Sequence, residues 1–145
     1  MMVQAMVEAD LDQIAALEQQ IYPFPWTRGN FLDSLNAGHA CWLVREDKCV
    51  VAYAIVMQVL DEVHLLNISV VPSLQNSGRG TALLLHLFEV ARTQGGARMF
   101  LEVRSGNFLA QQLYVRHGFI QIGQRRGYYP AHESREDAVV MAREL

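Results

Sequence analysis

Cysteine is scarce in this chain. Its two residues, Cys41 and Cys49, lack Cys-x-x-Cys spacing and are too few for a disulfide framework. Both fall in apolar stretches, where a free thiol is expected to pack as a small hydrophobe. A covalent acyl-enzyme through either thiol is not expected. Positive charge is not in excess either: Lys and Arg number 12 against 15 Asp and Glu, a formal net charge of −3. That balance argues against a sequence-independent grip on nucleic acid. The longest wholly apolar run, Cys49 to Met57, is far shorter than the ~20 residues of a membrane-spanning helix. Residues 1–12 hold no basic residue but do hold Glu8, Asp10 and Asp12, unlike the start of a secretory signal. His39, His64, His86, His117 and His132 are scattered, with no HExxH or Cys/His cluster, so no catalytic metal is expected. No serine nucleophile elbow is present. Asn67-Ile68-Ser69 fits a glycosylation acceptor but lies in an apolar run, and is read as coincidence. The expectation is a soluble, cytoplasmic protein with neither membrane nor nucleic acid as partner.

What is present is an ordinary globular composition, 51% hydrophobic and 19% charged, which excludes a disordered tail or a fibre. No repeat, low-complexity tract or linker divides residues 1–145, so a single domain is expected. Val3 to Met6 reads as a strand. Asp10, with Gln13 three residues on, reads as a capping box for a helix carrying Leu11, Ile14, Ala15, Leu17 and Ile21. Pro23 and Pro25 stop it, and Thr27 can cap a second helix that ends at Gly38. Ala40 to Arg45 and Cys49 to Leu60 flank Glu46-Asp47-Lys48 as a hairpin, and Asp61-Glu62 turns into the strand Val63 to Val71. A helix from Thr81 to Gln94 follows, with apolar Leu84, Leu85, Leu87, Phe88 and Ala91, and stops at Gly95-Gly96. Ala97 to Val103, a helix capped by Asn107 and ending at His117, and strands Phe119 to Arg126 and Ala138 to Ala142 complete the chain. The order β-α-α-β-β-β-α-β-α-β-β implies an α+β fold: one mixed, mostly antiparallel sheet with helices packed on both faces.

Gln75-Asn76-Ser77-Gly78-Arg79-Gly80-Thr81 joins a hydrophobic strand to the strongest amphipathic helix. A helix N-terminus carries unpaired N–H groups and partial positive charge, which suit a phosphate. Glycines at 78 and 80 let the backbone approach an anion closely, and Arg79 can add a cation. Leu83 stands where a dinucleotide fingerprint needs glycine, and the Lys-Ser/Thr ending of a P-loop is missing. The residues alone also admit a plain glycine-rich turn.

Gln-x-x-Gly-x-Gly at this strand-to-helix junction resembles the acetyl-CoA signature of the GNAT family of N-acetyltransferases, whose element order is that read above. The resemblance implies that Gln75, Asn76, Ser77, Gly78, Arg79, Gly80 and Thr81 hold the pyrophosphate of acetyl-CoA. It further implies that Ile68, Ser69 and Val70 meet the pantetheine arm through their main chain, and that Asn107 contacts the same ligand.

Glu102 is the only acid in its strand, alternating with Leu101 and Val103, and is either functional or a solvated strand-end acid paired with Arg104. Tyr114 sits among Leu109, Ala110 and Leu113, as a proton donor or as a core aromatic. The resemblance assigns Glu102 as general base and Tyr114 as general acid. A narrower resemblance is to GNAT enzymes that acetylate the N-terminal alanine of a small-subunit ribosomal protein. It rests on Phe24-Pro25-Trp26, Leu60-Asp61-Glu62, Leu101-Glu102-Val103-Arg104, Arg125-Arg126-x-Tyr128-Tyr129-Pro130 and Arg135-Glu136-Asp137-Ala138. It implies that Tyr22, Phe24 and Trp26, with Tyr128 and Tyr129 in the last hairpin loop, wall the peptide N-terminus; a monomer is expected. Asn76, Gly106 and Gly127 depart from that pattern, where a basic residue, Ser or Ala, and a polar residue are usual. A small-amine or lysine acetyltransferase, or a silent acyl-CoA-binding module, stays open at this point.

Overall fold

The structure is a computed structural model that describes residues 2–145. Its elements are β1 (Val3–Ala5), α1 (Leu11–Ile21), α2 (Arg28–Asn36), β2 (Ala40–Glu46), β3 (Cys49–Val59), β4 (Glu62–Val70), α3 (Arg79–Thr93), β5 (Arg98–Arg104), α4 (Phe108–Arg116), β6 (Ile120–Pro130) and β7 (Arg135–Glu144). The expected order holds, with short 3₁₀ turns added at Glu8–Asp10 and Pro72–Leu74. All the strands form one sheet in the order β1-β2-β3-β4-β5-β7-β6. Every neighbouring pair is antiparallel except β4–β5.

Central strand β3 is apolar on both sides because helices cover both faces. Tyr53 and Ile55 pack with Leu11, Ile14 and Phe31 of α1 and α2. Ala52, Ala54 and Val56 face the other way, toward Leu83, Leu84, Leu87 and Phe88 of α3, a layer that Tyr114 of α4 joins. Leaving water, each such leucine contributes about 1.5–3 kcal/mol. In β5 the alternation is clean: Met99, Leu101 and Val103 are buried, while Phe100, Glu102 and Arg104 are only half-buried. That is the pattern expected for Glu102.

Several local expectations are corrected. Asp10 caps nothing in α1, because the preceding 3₁₀ turn already sets it in helical backbone. Its carboxylate accepts instead from Val7 N–H at 2.9 Å and from Arg45 Nη2 at 2.8 Å. The buried stripe of α3 is Leu83, Leu84, Leu87, Phe88 and Ala91, whereas Leu85 faces water. Helix α3 starts at Arg79 rather than Thr81, since Gly78 adopts φ +85° and serves as N-cap. The turn into β4 is Leu60-Asp61, one residue earlier than expected, with Leu60 at φ +57°. Cys41 is buried but Cys49, at the exposed start of β3, is not. Tyr128 and Tyr129 lie on β6 itself, which continues past an irregularity between Arg125 and Tyr129.

The cap of α2 is as expected. Thr27 Oγ1 accepts from Asn30 N–H at 3.1 Å, and Asn30 Oδ1 accepts from Thr27 N–H at 2.9 Å. Thr27→Ala is expected to destabilise the fold by ~1 kcal/mol in urea unfolding, and Thr27→Ser by much less. An unchanged midpoint for Thr27→Ala would contradict the cap.

Candidate active site

The site originates in the one parallel pair. Strands β4 and β5 are in register only from Glu62 with Arg98 to Leu65 with Leu101. Beyond that, β4 stays on β3, through Ile68 with Ala54 and Val70 with Ala52. Strand β5 stays on β7, through Glu102 with Val140 and Arg104 with Ala138. The strands part where Leu66 is the extra residue of a bulge against β3, between the pairs Val56–Leu65 and Ile55–Asn67. Such a bulge bends its strand and raises its twist. Residues 66–70 are left without a strand on the β5 side, and a cleft of about 900 Å³ opens there. It is lined by Tyr114 and Gly78 from the α3–α4 side and by Tyr22 and Trp26 from the α1–α2 side.

On the α3–α4 side, the first intrahelical bond of α3 is Ala82 N–H to Gly78 C=O at 3.0 Å. The N–H groups of Arg79, Gly80 and Thr81 therefore have no intrahelical acceptor. A Cβ at Gly78 would meet nothing within 4 Å, so glycine is needed for its positive φ rather than for space. Asn76 also has positive φ, +59°, a conformation asparagine tolerates far better than a long basic side chain. Gln75, Asn76, Gly78, Gly80, Thr81 and Asn107 line the cleft with Ile68, Ser69 and Val70. Ser77 and Arg79 do not. Arg79 is held bidentately by Glu46 at 2.7 and 2.8 Å, which keeps the Glu46 carboxyl below its ordinary range and the guanidinium above its own. The expected cation of the loop is thus committed elsewhere, leaving Arg79 only its amide. Asn107 caps α4, accepting from Ala110 N–H at 3.2 Å. His117 is the C-cap of α4, its Nε2 lying 3.3 Å from Thr81 Oγ1.

Glu102 lines the cleft and is about a quarter exposed, 28%. Its ion-pair partner is Arg125 at 3.1 Å, not Arg104. Arg104 pairs with Glu136 at 3.1 Å and donates to Pro130 C=O at 2.9 Å. Its guanidinium also lies over Tyr129 at 4.5 Å and over Phe24 at 5.6 Å. With Phe24 against His132 at 5.2 Å, this joins the α1–α2 linker to the β6–β7 hairpin across the cleft mouth. Tyr22, Phe24, Trp26 and Tyr129 all line the cleft, whereas Tyr128 stands outside it, 46% exposed. Gly127, at φ +57°, is pinned: its N–H donates to Asp137 Oδ1 at 2.8 Å and its C=O accepts from Arg135 Nε at 2.6 Å. At Gly106 a Cβ would fall 2.9 Å from Glu136 Oε2, which the Gly106 N–H itself holds at 2.9 Å.

Tyr114 is both core and cleft residue. It is 7% exposed, edge-on to Phe119 at 5.6 Å, and burial raises its phenol pKa above the ordinary value, with smaller contributions from Tyr22 and Tyr129. A buried phenol with no other charge nearby stays protonated at neutral pH.

Among the cleft residues that escaped sequence reading, one acid stands out. Glu18, in the middle of α1, is 2% exposed and lines the cleft. It accepts from Tyr53 O–H at 2.6 Å, Trp26 N–H at 2.9 Å and Asn67 Nδ2 at 3.2 Å. Its position on the buried stripe with Leu11 and Ile14 was the available signal, since an acid there must be satisfied or functional.

Comparison with known proteins gives a consistent picture. Residues 11–119 match the acetyltransferase (GNAT) family. The [ribosomal protein bS18]-alanine N-acetyltransferase of Haemophilus ducreyi is 37% identical over 142 residues, 97% of this chain and 98% of that protein. The enzyme of the same name from Escherichia coli strain K12 is 36% identical over 140 residues, 97% of this chain and 95% of that protein. The crystal structure of the ribosomal-protein-S18-alanine N-acetyltransferase from Escherichia coli superposes with a TM-score of 0.93 at 35% identity, covering 99% of this chain and 93% of that one.

All five tyrosines, Tyr22, Tyr53, Tyr114, Tyr128 and Tyr129, are raised above the ordinary phenol value. Burial leads in four. For Tyr128 the hydrogen bond to Glu102 leads, and Tyr129 reaches about 12. A raised folded pKa favours the protonated form, so this stability is complete below the unfolded value of about 10 and is lost as pH climbs above it. Ultraviolet titration is expected to show every tyrosine less than half ionised in the folded protein at about pH 10. Half-ionisation of even one tyrosine there, before unfolding, would contradict these environments.

Proposed function

The chain belongs to the GNAT acetyltransferase family, and from that premise we propose that it moves the acetyl group of acetyl-CoA to the N-terminal α-amine of a protein. The acceptor is the N-terminal alanine of a small-subunit ribosomal protein, the reaction for which its relatives are named. The observation that carries this reading is the cleft between β4 and β5, lined from both faces of the sheet, with Glu102 and Tyr114 on its wall. Such a passage lets two reactants enter from opposite sides and meet in a ternary complex. The protein acts as a monomeric single domain in the cytoplasm. Among its described residues no helix is long and apolar enough to cross a membrane.

Acetyl-CoA supplies the reactive thioester; the chain supplies position and proton management. Gln75, Asn76 and the amides of residues 78–81 face a pyrophosphate, while the Ser77 hydroxyl, outside the cleft, donates to Leu74 C=O; the fit is good because the N–H groups of residues 79–81 have no intrahelical acceptor. The main chain of Ile68, Ser69 and Val70, without a strand partner on the β5 side, runs along the pantetheine arm. Asn107 stands at the same wall.

An α-amine has a pKa of about 7.7–8.0, so roughly a tenth is already neutral at pH 7, against a few molecules in ten thousand for a lysine amine. A carboxylate is therefore a sufficient base. Glu102 accepts the amine proton, directly or through one water. Tyr114, protonated by virtue of its burial, returns a proton to the departing sulfur. Tyr22, Phe24, Trp26 and Tyr129 wall the acceptor, with Tyr128 at its outer edge. Much of the acceleration comes from holding amine and thioester together.

Two peptides of one sequence test the reading, one with a free Ala-Arg start and one N-blocked with an internal lysine. Turnover with only the free N-terminus is expected; turnover with only the blocked peptide would make the enzyme a lysine acetyltransferase. Silence with both, acetyl-CoA still binding, would point to a small amine or to no turnover at all. Tyr114→Phe is expected to lower kcat about a hundredfold or more with acetyl-CoA affinity nearly intact, and unchanged turnover would remove Tyr114 from the mechanism. Glu102→Gln is expected to displace the pH–rate profile upward, and an unaltered profile would remove the base.

A further inference from the structure

The cleft carries three carboxylates, and two of them are neutralised: Glu102 by Arg125 and Glu136 by Arg104. Glu18 has no cationic partner among the described residues. Its three donors, Tyr53 O–H, Trp26 N–H and Asn67 Nδ2, are all neutral. A carboxylate that is 2% exposed and lacks a counter-charge is costly, although good hydrogen bonds reduce the cost. Here the charge stands at the acceptor end. From Glu18 the polar chain continues through Asn67, whose Oδ1 accepts from Ser69 Oγ at 2.8 Å, to Tyr22, whose hydroxyl lies 2.7 Å from Ser69 Oγ. One side chain thereby fixes the start of α2 through the Trp26 amide, β3 through Tyr53, and Tyr22 on β4 through Asn67 and Ser69. None of these contacts involves the α3 loop.

We propose that Glu18 is the positioning residue of the acceptor half of the cleft, setting the Tyr22–Trp26 wall against β4 and supplying the negative charge that draws in the ammonium of an incoming N-terminus. The incoming cation compensates a charge the fold leaves open. The titratable and charged groups that line the cleft with it are Tyr22, Glu102, Arg104, Tyr114, Arg116, Tyr129, His132 and Glu136, and of the two arginines Arg104 is taken by Glu136 while Arg116 belongs to the α4 side. This rests on the α-amine reading above. That reading fails on its own if the unaltered enzyme ignores a free N-terminal peptide, whatever the variants do.

Two variants separate charge from placement. Glu18→Gln keeps the shape and removes the charge, while Tyr53→Phe keeps the charge and removes its shortest hydrogen bond. Steady-state kinetics with the free Ala-Arg peptide are read beside calorimetric binding of CoA alone. Glu18→Gln is expected to raise the peptide KM about tenfold, on the scale of one charge-assisted hydrogen bond, with kcat changed less than about twofold and CoA affinity unchanged. Tyr53→Phe is expected to raise the same KM by a smaller factor. The binding preference of the CoA-loaded protein for the free peptide over its N-acetylated form should also narrow in Glu18→Gln alone. A fall in Tm with peptide KM unchanged in both variants would reduce Glu18 to a packing group and overturn the proposal. So would equal losses of peptide and CoA binding.

Discussion

The parting of β4 and β5 is the constraint on which the rest of the structure depends. A parallel pair that ends at Leu65 and Leu101 strands a row of main-chain groups on β4 in the middle of a sheet. Buried backbone polar groups must find partners. The fold satisfies the outer side of each strand through β3 and β7, and on the inner sides side chains serve only in part: Gln75 Nε2 donates to Val70 C=O at 3.2 Å and Gln111 Nε2 to Arg104 C=O at 3.0 Å. The Leu66 bulge directs the divergence, and α3 and α4 close the cleft from one face while α1 and α2 close it from the other. A site that passes through a sheet in this way has two entrances, and a direct transfer between two bound reactants needs two.

Charge is distributed to suit those entrances. The loop before α3 offers an anion amides and glycine-enabled geometry rather than a free cation, because Arg79 is locked to Glu46. At the acceptor end three carboxylates gather, one of them without a counter-ion. Arg104 does the mechanical work between them, joining Glu136, Tyr129 and Phe24 so that the linker after α1 and the last hairpin form one wall. Tyr114 sits where the two halves meet, and the burial that packs it against Phe119 also keeps its proton in place.

Much of this was legible in the sequence because the signals were periodic or positional. The element order, the cap at Thr27, the alternation around Glu102 and the glycine loop all follow from local rules. What was not legible depends on partners distant in the chain. Arg104 is two residues from Glu102 yet pairs with Glu136, 32 residues on, and Glu102 takes Arg125 instead. Arg79 belongs to the loop by position and to Glu46 by geometry. Glu18 looked like one more polar residue of an amphipathic helix, and only the crossing of α1 over β3 and β4 brings Tyr53 and Asn67 to it. The departures at Asn76, Gly106 and Gly127 gain physical reasons only from backbone dihedrals and from the carboxylates of Glu136 and Asp137.

The most direct test of the central claim is a crystal structure with a bisubstrate ligand, in which CoA is joined through its sulfur to the N-terminus of an Ala-Arg peptide. The account predicts the pyrophosphate on the amides of residues 79–81 and the sulfur within about 3–4 Å of the Tyr114 hydroxyl. It places the peptide nitrogen within hydrogen-bond reach of Glu102 or of one water on it, with the peptide leaving between Tyr22 and Tyr129. A ligand whose linked atoms lie away from both Tyr114 and Glu102, or whose two halves enter from the same face of the sheet, would contradict it.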